Sequence, residues 1–217
     1  MRLIDKANNR NINFVVALDG PSAAGKGLVG KLLAEKLGLV YAQSSIVYRG
    51  LAYVCIMAGI SAGDEAGIIK LSASSDVIKE AGGVDLNVEE IGDFASKLSV
   101  IQEVRDNLGS YLLNLIASTP RIIMEGRDIG TVVAPNADLK IFITANVEVR
   151  AKRRFKQWQD EGKDCILSDV LKLLKSRDER DSMRSAAPLK AASDALVIDT
   201  SNLTPEEVLQ KIVDFML

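Results

Sequence analysis

The 217-residue chain contains no histidine. That absence removes imidazole bases, histidine nucleophiles and histidine-ligated metals from its chemistry. Cysteine is nearly as scarce. Cys55 and Cys165 lie far apart and fit a reducing compartment better than a disulfide framework. A marked charge of either sign is missing too: the formal net charge is −2, which argues against a surface dedicated to nucleic acid. No apolar run approaches the ~20 residues that a membrane span needs. The polar stretch 1–13 has no apolar core of the kind a signal peptide carries. A soluble, cytoplasmic protein without membrane or nucleic-acid partners is expected.

What is present is apolar content, 47% of residues, enough for a sizeable core. The length suits one domain with small appended lobes. Residues 1–11 read as a polar lead-in. Residues 12–18 read as a buried strand, and 26–37 as a helix with apolar positions at helical spacing. Gly38 is a good stop for that helix. Residues 39–41 read as a short strand, and Ser44 as the cap of a mostly apolar helix over 46–58. From Gly59 to about Glu90, glycine, serine and acids dominate, and an inserted lobe is expected there. Helical spacing returns over 91–117, with a break near Gln102. Strands are expected at 121–125, 139–144 and 195–198. Helices are expected at 147–160, from Ser168 to before Pro188, and after Thr204 with Pro205 in its first turn. Strands alternating with helices predict an α/β fold with a parallel sheet covered on both faces. Ligands then bind beyond the strand C-termini, so the loops after Leu18, Tyr41 and Glu125 are expected at one cleft.

The chain is organised around residues 14–28. An apolar strand runs into Gly20-Pro21-Ser22-Ala23-Ala24-Gly25-Lys26-Gly27-Leu28, and a helix follows. Strand, glycine loop, helix is the order a phosphate-binding loop needs, because loop amides and the positive helix end converge on one anion. Gly20 and Gly25 bracket four residues before Lys26, whose ammonium would reach the terminal phosphates. Gly27 and Leu28 carry no hydroxyl where such loops usually place a Mg-binding serine or threonine. A metal would be held by phosphate oxygens and water more than by this loop, and no protein metal ligand is assigned. The bland alternative is a turn with a chance lysine, which the correct flanking elements disfavour.

Arginines gather in the loops: Tyr48-Arg49 after Ser44, and Gly126-Arg127-Asp128-Ile129-Gly130 after the third strand. The planar guanidinium fork suits phosphate. A solvated helix residue and a turn ion pair are the ordinary readings of Arg49 and of Arg127-Asp128, and their shared place at strand ends counts against both. Over 148–190 basic residues outnumber acidic ones. Arg150, Arg153 and Arg154 have the spacing of one helical face, and Arg177, Asp181 and Arg184 of another. Two such helices read as a lid over phosphates, or more plainly as two solvated helices with internal ion pairs. These parts suit phosphoryl transfer, which asks for positioning and charge neutralisation.

In sequence order these motifs resemble the bacterial cytidylate kinases. Residues 20–27 resemble that family's first signature, and Ser44-x-x-x-Tyr48-Arg49 its second. Residues 126–133 resemble its third and most specific. Arg177-Asp178-x-Arg180-Asp181-x-x-Arg184-x-x-Ala187-Pro188-Leu189 is similar to its lid helix. The match runs from about residue 12 to the C-terminus and is weakest across 60–90. The resemblance implies a P-loop nucleoside monophosphate kinase fold in a single kinase domain, 1–217. The core would cover 12–59, 103–153 and 167–217, with an NMP-binding insert at about 60–102 and a lid at about 154–166. It implies transfer of the γ-phosphate of ATP, carried with Mg2+, to CMP or dCMP by a monomer. Loop residues 20–28 and Arg153 would bind ATP. Ser44, Arg49 and Arg127 would hold the CMP phosphate. Ser96, Arg105 and Asp128 would face the base, and Arg177 and Asp181 the sugar. Arg184 would lie at the phosphates or the base. Lys26, Arg127, Asp128 and Arg184 would be catalytic. The chain departs from the family pattern at Gln43, Ser45, Ile46, Asn87 and Leu28.

Two other readings stand beside this one. A kinase for UMP or another small acceptor would share the same loop. A regulatory nucleotide switch for guanine would want an Asn-Lys-x-Asp segment, and the chain has none. Asp64-x-x-Gly67 reads as chance.

Overall fold

The computed structural model describes residues 1–74 and 81–217. The expected insert at 60–102 includes residues 75–80, which lie outside the described residues. The chain divides into two compact units. The first comprises Met1–Ala42, Thr119–Met183 and Ala187–Leu217, and the second Gln43–Ser118 and Arg184–Ala186.

The first unit is built on a five-stranded sheet. Its strands are β1 (Phe14–Asp19), β2 (Val40–Gln43), β3 (Arg121–Glu125), β4 (Leu139–Thr144) and β5 (Leu196–Asp199), in the order β2-β3-β1-β4-β5. Central β1 runs parallel to β3, with Val16 opposite Ile123, and to β4, with Val16 opposite Leu139. A strand enclosed on both faces reads as a continuous apolar run, and Val16, Ala17 and Leu18 are fully buried. Helices α1 (Leu3–Asn8), α2 (Lys26–Leu37) and α9 (Pro205–Met216) close the main core. Leu33, Ile212 and Met216 pack there with Phe14, Leu18 and Ile141. Helix α2 lies so close to the sheet that a Cβ at Gly30 would stand 2.6 Å from the Tyr41 ring. Gly38, at φ 62°, ends it. Thr204 and Glu207 start α9 with a reciprocal capping box.

Helix α1 corrects the expected polar lead-in. Its weak local propensity is overridden by packing: Ala7 is buried in the core, and Leu3 and Ile4 lie against it. Arg121 donates to the Ala7 and Asn9 carbonyls that end the helix. After β3 the chain makes a π-helical turn, Ile129–Val133, that no periodicity foretold. The unit also holds α7 (Val147–Asp160) and α8 (Leu167–Met183), which pack on each other around Ala151, Val170 and Leu174.

The second unit is helical: α3 (Ser45–Met57), α4 (Glu65–Ser72), α5 (Glu89–Leu98) and α6 (Gln102–Ser118). Helix α3 packs on α5 and α4, and α4 on α6. The expected break near Gln102 falls at 99–101. Asp64 accepts from the Gly67 amide at 2.9 Å and caps α4, so Asp64-x-x-Gly67 has a local structural role.

Candidate active site

In the first unit the loop after β1 has the backbone that an anion cradle requires. Gly20 sits at φ 144°, and a Cβ there would fall 1.9 Å from the Ile143 carbonyl oxygen. No other residue type fits. Ala23 and Gly25 follow at φ 60° and 97°, and α2 begins at once, without an acidic residue in its first turn. The early amides of a helix have no carbonyl of their own to bond, so they point an unspent positive potential into the loop. Buried Lys26 donates from Nζ to the carbonyls of Gly20 and Pro21, at 2.8 and 2.7 Å. Burial pushes its ammonium down to about 7, and the charge of Arg127 adds to the effect, while Glu125 and Asp19 oppose it.

The loop is braced from α7. Arg150 is buried. It donates to the Ala145 carbonyl at 2.8 Å, to the Ser22 carbonyl at 3.2 Å, and to both carboxylate oxygens of Asp178 on α8. Arg153 donates to the hydroxyl and carbonyl of Thr200, at 3.0 and 2.6 Å. The Thr200 hydroxyl in turn donates to the Ala24 carbonyl at 2.9 Å. Arg154 bonds Gln157 and lies over the Trp158 ring. The three arginines grouped by spacing thus have three separate tasks, since burial and neighbouring carbonyls differ at each.

The turn after β3 is bonded to the end of β1. The Gly126 amide donates to Leu18, and the amides of Ile129 and Gly130 donate to the two carboxylate oxygens of Asp19, at 2.8 and 2.7 Å. Arg127 pairs with buried Asp181 of α8 at 3.2 Å. Asp128 is buried at the head of the π-helical turn. Tyr41 donates its hydroxyl to the Glu125 carboxylate. Asp19 is itself buried. Burial pushes its carboxyl up to about 6, helped by the nearby charge of Asp128; the two amides and Lys26 draw it the other way. Among the described residues no cluster of acids and cysteines could hold a metal.

In the second unit Ser44 precedes α3 but makes no side-chain cap bond, its backbone already being helical at φ −60°, ψ −28°. Arg49 donates to the Leu86 and Val88 carbonyls, at 2.5 and 3.4 Å. Buried Arg105 donates to the Ser99 carbonyl at 3.3 Å and lies 5.7 Å from the Tyr48 ring centre. Arg184 donates to the Ser99 hydroxyl at 3.3 Å, and that hydroxyl donates to the Ser96 carbonyl. Ser96, Arg105 and Arg184 are therefore drawn together at Ser99. Arg184 was expected on the same helical face as Arg177 and Asp181. Helix α8 ends at Met183, so Arg184 lies past it and belongs to the second unit. Cys55 is buried and its thiol is pushed up to about 11 by burial, with Asp64 acting the same way, so it offers no thiolate.

Of the expected residues, the first unit holds Gly20 to Leu28, Arg127, Asp128, Arg153, Arg177 and Asp181. The second holds Ser44, Arg49, Ser96, Arg105 and Arg184. Sequence reasoning missed Asp19, Ser99, Arg150 and Thr200 as parts of these networks. One signal was available for Asp19: it is the charged residue that closes an otherwise apolar strand.

The family model for cytidylate kinase matches residues 16–216. The chain is 55% identical over 204 residues to the cytidylate kinase of Rickettsia akari (strain Hartford), covering 94% of this chain and 92% of that one. It is 54% identical over 216 residues to the cytidylate kinase of Rickettsia canadensis (strain McKiel), covering 100% and 98%. Among solved structures, a gluconokinase from Sinorhizobium meliloti 1021 has a similar fold, with a TM-score of 0.50 at 13% identity over 94% of this chain and 92% of that one.

Proposed function

The chain belongs to the cytidylate kinase family, and on that footing we propose that it transfers the γ-phosphate of ATP to CMP or dCMP. The products are ADP and CDP or dCDP. An oxygen of the acceptor phosphate bonds to the γ-phosphorus as the bond to the bridging oxygen of ADP breaks. The observation that carries this reading is the direct bonding of two anion-seeking elements. The phosphate loop and the Arg127-Asp128 turn are joined through Asp19, and Arg127 lies near enough to Lys26 to depress its ammonium.

In this reading the loop amides of 20–28, Lys26 and Arg153 neutralise the ATP phosphates. Mg2+ enters with ATP as substrate, held by phosphate oxygens and water. Ser44, Arg49 and Arg127 hold the acceptor phosphate. Arg177 and Asp181 meet the sugar, and Arg184 the phosphates or base. Ser96, Arg105 and Asp128 face the base. Cytosine presents an amino donor at N4 and acceptors at N3 and O2. A carboxylate accepts from the first and a guanidinium donates to the others. Uracil reverses two of those groups, at about 1–3 kcal/mol for each polar atom left unsatisfied. Segment 60–102 serves as the acceptor-binding insert, and 154–166 as a lid that keeps water from the donor. The protein works as a cytoplasmic monomer. No helix among the described residues is long and apolar enough to cross a membrane.

Initial rates with ATP and CMP, dCMP, UMP or AMP in parallel test the proposal. Preference for the cytidine nucleotides supports it. A UMP rate well above that of CMP, or nucleotide binding with no transfer to any acceptor, would overturn it.

A further inference from the structure

The geometry points to Asp19 as a positioning residue that fixes Arg127 and Asp128 relative to the phosphate loop. It is the last residue of β1, next to Gly20, and β1 is held by ladders on both sides. Its carboxylate is buried, and a buried carboxylate persists where hydrogen bonds replace water. Both oxygens are occupied: Oδ1 by the Ile129 amide at 2.8 Å and Oδ2 by the Gly130 amide at 2.7 Å.

Those two amides open the π-helical turn. A turn of this kind usually takes a cap from the residue just before it. Here that residue is Asp128, and it makes no side-chain cap bond. Asp19 caps the turn from a neighbouring strand. Two donors on two oxygens fix the rotation of the turn as well as its distance. The turn packs closely on β1 here: a Cβ at Gly130 would lie 3.3 Å from the Lys140 Cδ and 3.4 Å from Oδ2 and from the Ala17 Cβ. The charged groups that act on Asp19 are Asp128 and Lys26. Lys140 packs beside Gly130 but carries its ammonium to Asp194 at 2.9 Å.

The inference deepens the cytidylate reading and rests on it for the role of Asp128. The test is D19N, a change of the same shape that turns one acceptor oxygen into a donor facing an amide. KM for CMP should rise about tenfold, the size of one lost buried hydrogen bond to a charged group. The preference for CMP over UMP should fall, and KM for ATP should change less than KM for CMP, since Asp19 touches the loop only through its charge on Lys26. Equal losses toward ATP and CMP, or no change in either, would overturn the assignment. A second measurement needs no variant. In the wild-type protein the Ile129 and Gly130 amide protons should shift together by NMR as pH falls through about 6, where Asp19 protonates. Silent amides would overturn the inference whatever the acceptor is. Absence of CMP turnover in the wild-type protein would instead overturn the cytidylate reading.

Discussion

Arg150 holds Asp178 with both ends of its guanidinium fork, at 3.1 and 2.5 Å, and reaches the Ser22 carbonyl of the phosphate loop with the same side chain. The pair joins α7 to α8 where the side chains are 6% and 23% exposed. A basic residue that spacing assigned to a phosphate-facing stripe is thus a brace beneath the loop.

Removing one partner of such a pair strands the other. Arg150→Met should cost about 3–5 kcal/mol, the range for breaking a buried ion pair. Denaturant unfolding of the purified variant measures it, and Asp178→Asn should cost less because Asp178 is the more exposed partner. A Arg150→Met protein as stable as wild type would contradict the brace.

In the nucleotide-free protein burial holds the Lys26 ammonium down to about 7. Its folded value lies below its unfolded one, so from about 7 to 10.5 the unfolded chain holds the extra proton. This group's contribution to stability therefore rises with pH across that window. A bound polyphosphate reverses the balance, since anionic charge favours the ammonium. Calorimetric titration with MgATP at pH 8, in buffers of different ionisation enthalpy, should show proton uptake. The uptake should vanish in Lys26→Met.

Gly92 makes room for Arg49: a Cβ at Gly92 would lie 2.8 Å from a terminal guanidinium nitrogen. That nitrogen ends a flexible side chain and can move. Gly92→Ala should therefore keep or slightly raise stability, by roughly 0.5–1 kcal/mol from the helix preference of alanine. If Arg49 holds the acceptor phosphate, KM for CMP should rise severalfold with KM for ATP unchanged. Steady-state kinetics beside a thermal melt separate the two effects.

Elements bounded by sharp chemical contrast were legible in the sequence. Helix α2 between Gly25 and Gly38, strands β3 and β4, and helix α7 match their expected limits to the residue. The phosphate loop was legible because glycine, lysine and spacing together encode one backbone path. What could not be read depends on long-range partners. Helix α1 forms because Ala7 finds the core, and Arg150 is buried because Ser22 and Asp178 lie beside it. Arg184 left its expected helical face because α8 stops one residue earlier. The grip of Asp19 on Ile129 and Gly130 spans 110 residues and leaves no local pattern.

The most direct test of the whole account is the product balance, followed by phosphorus NMR, when the protein is mixed with MgATP and CMP. ADP and CDP should form in equal amounts with little inorganic phosphate, because the γ-phosphate passes to the acceptor and not to water. ADP accompanied by inorganic phosphate, with no CDP, would contradict it.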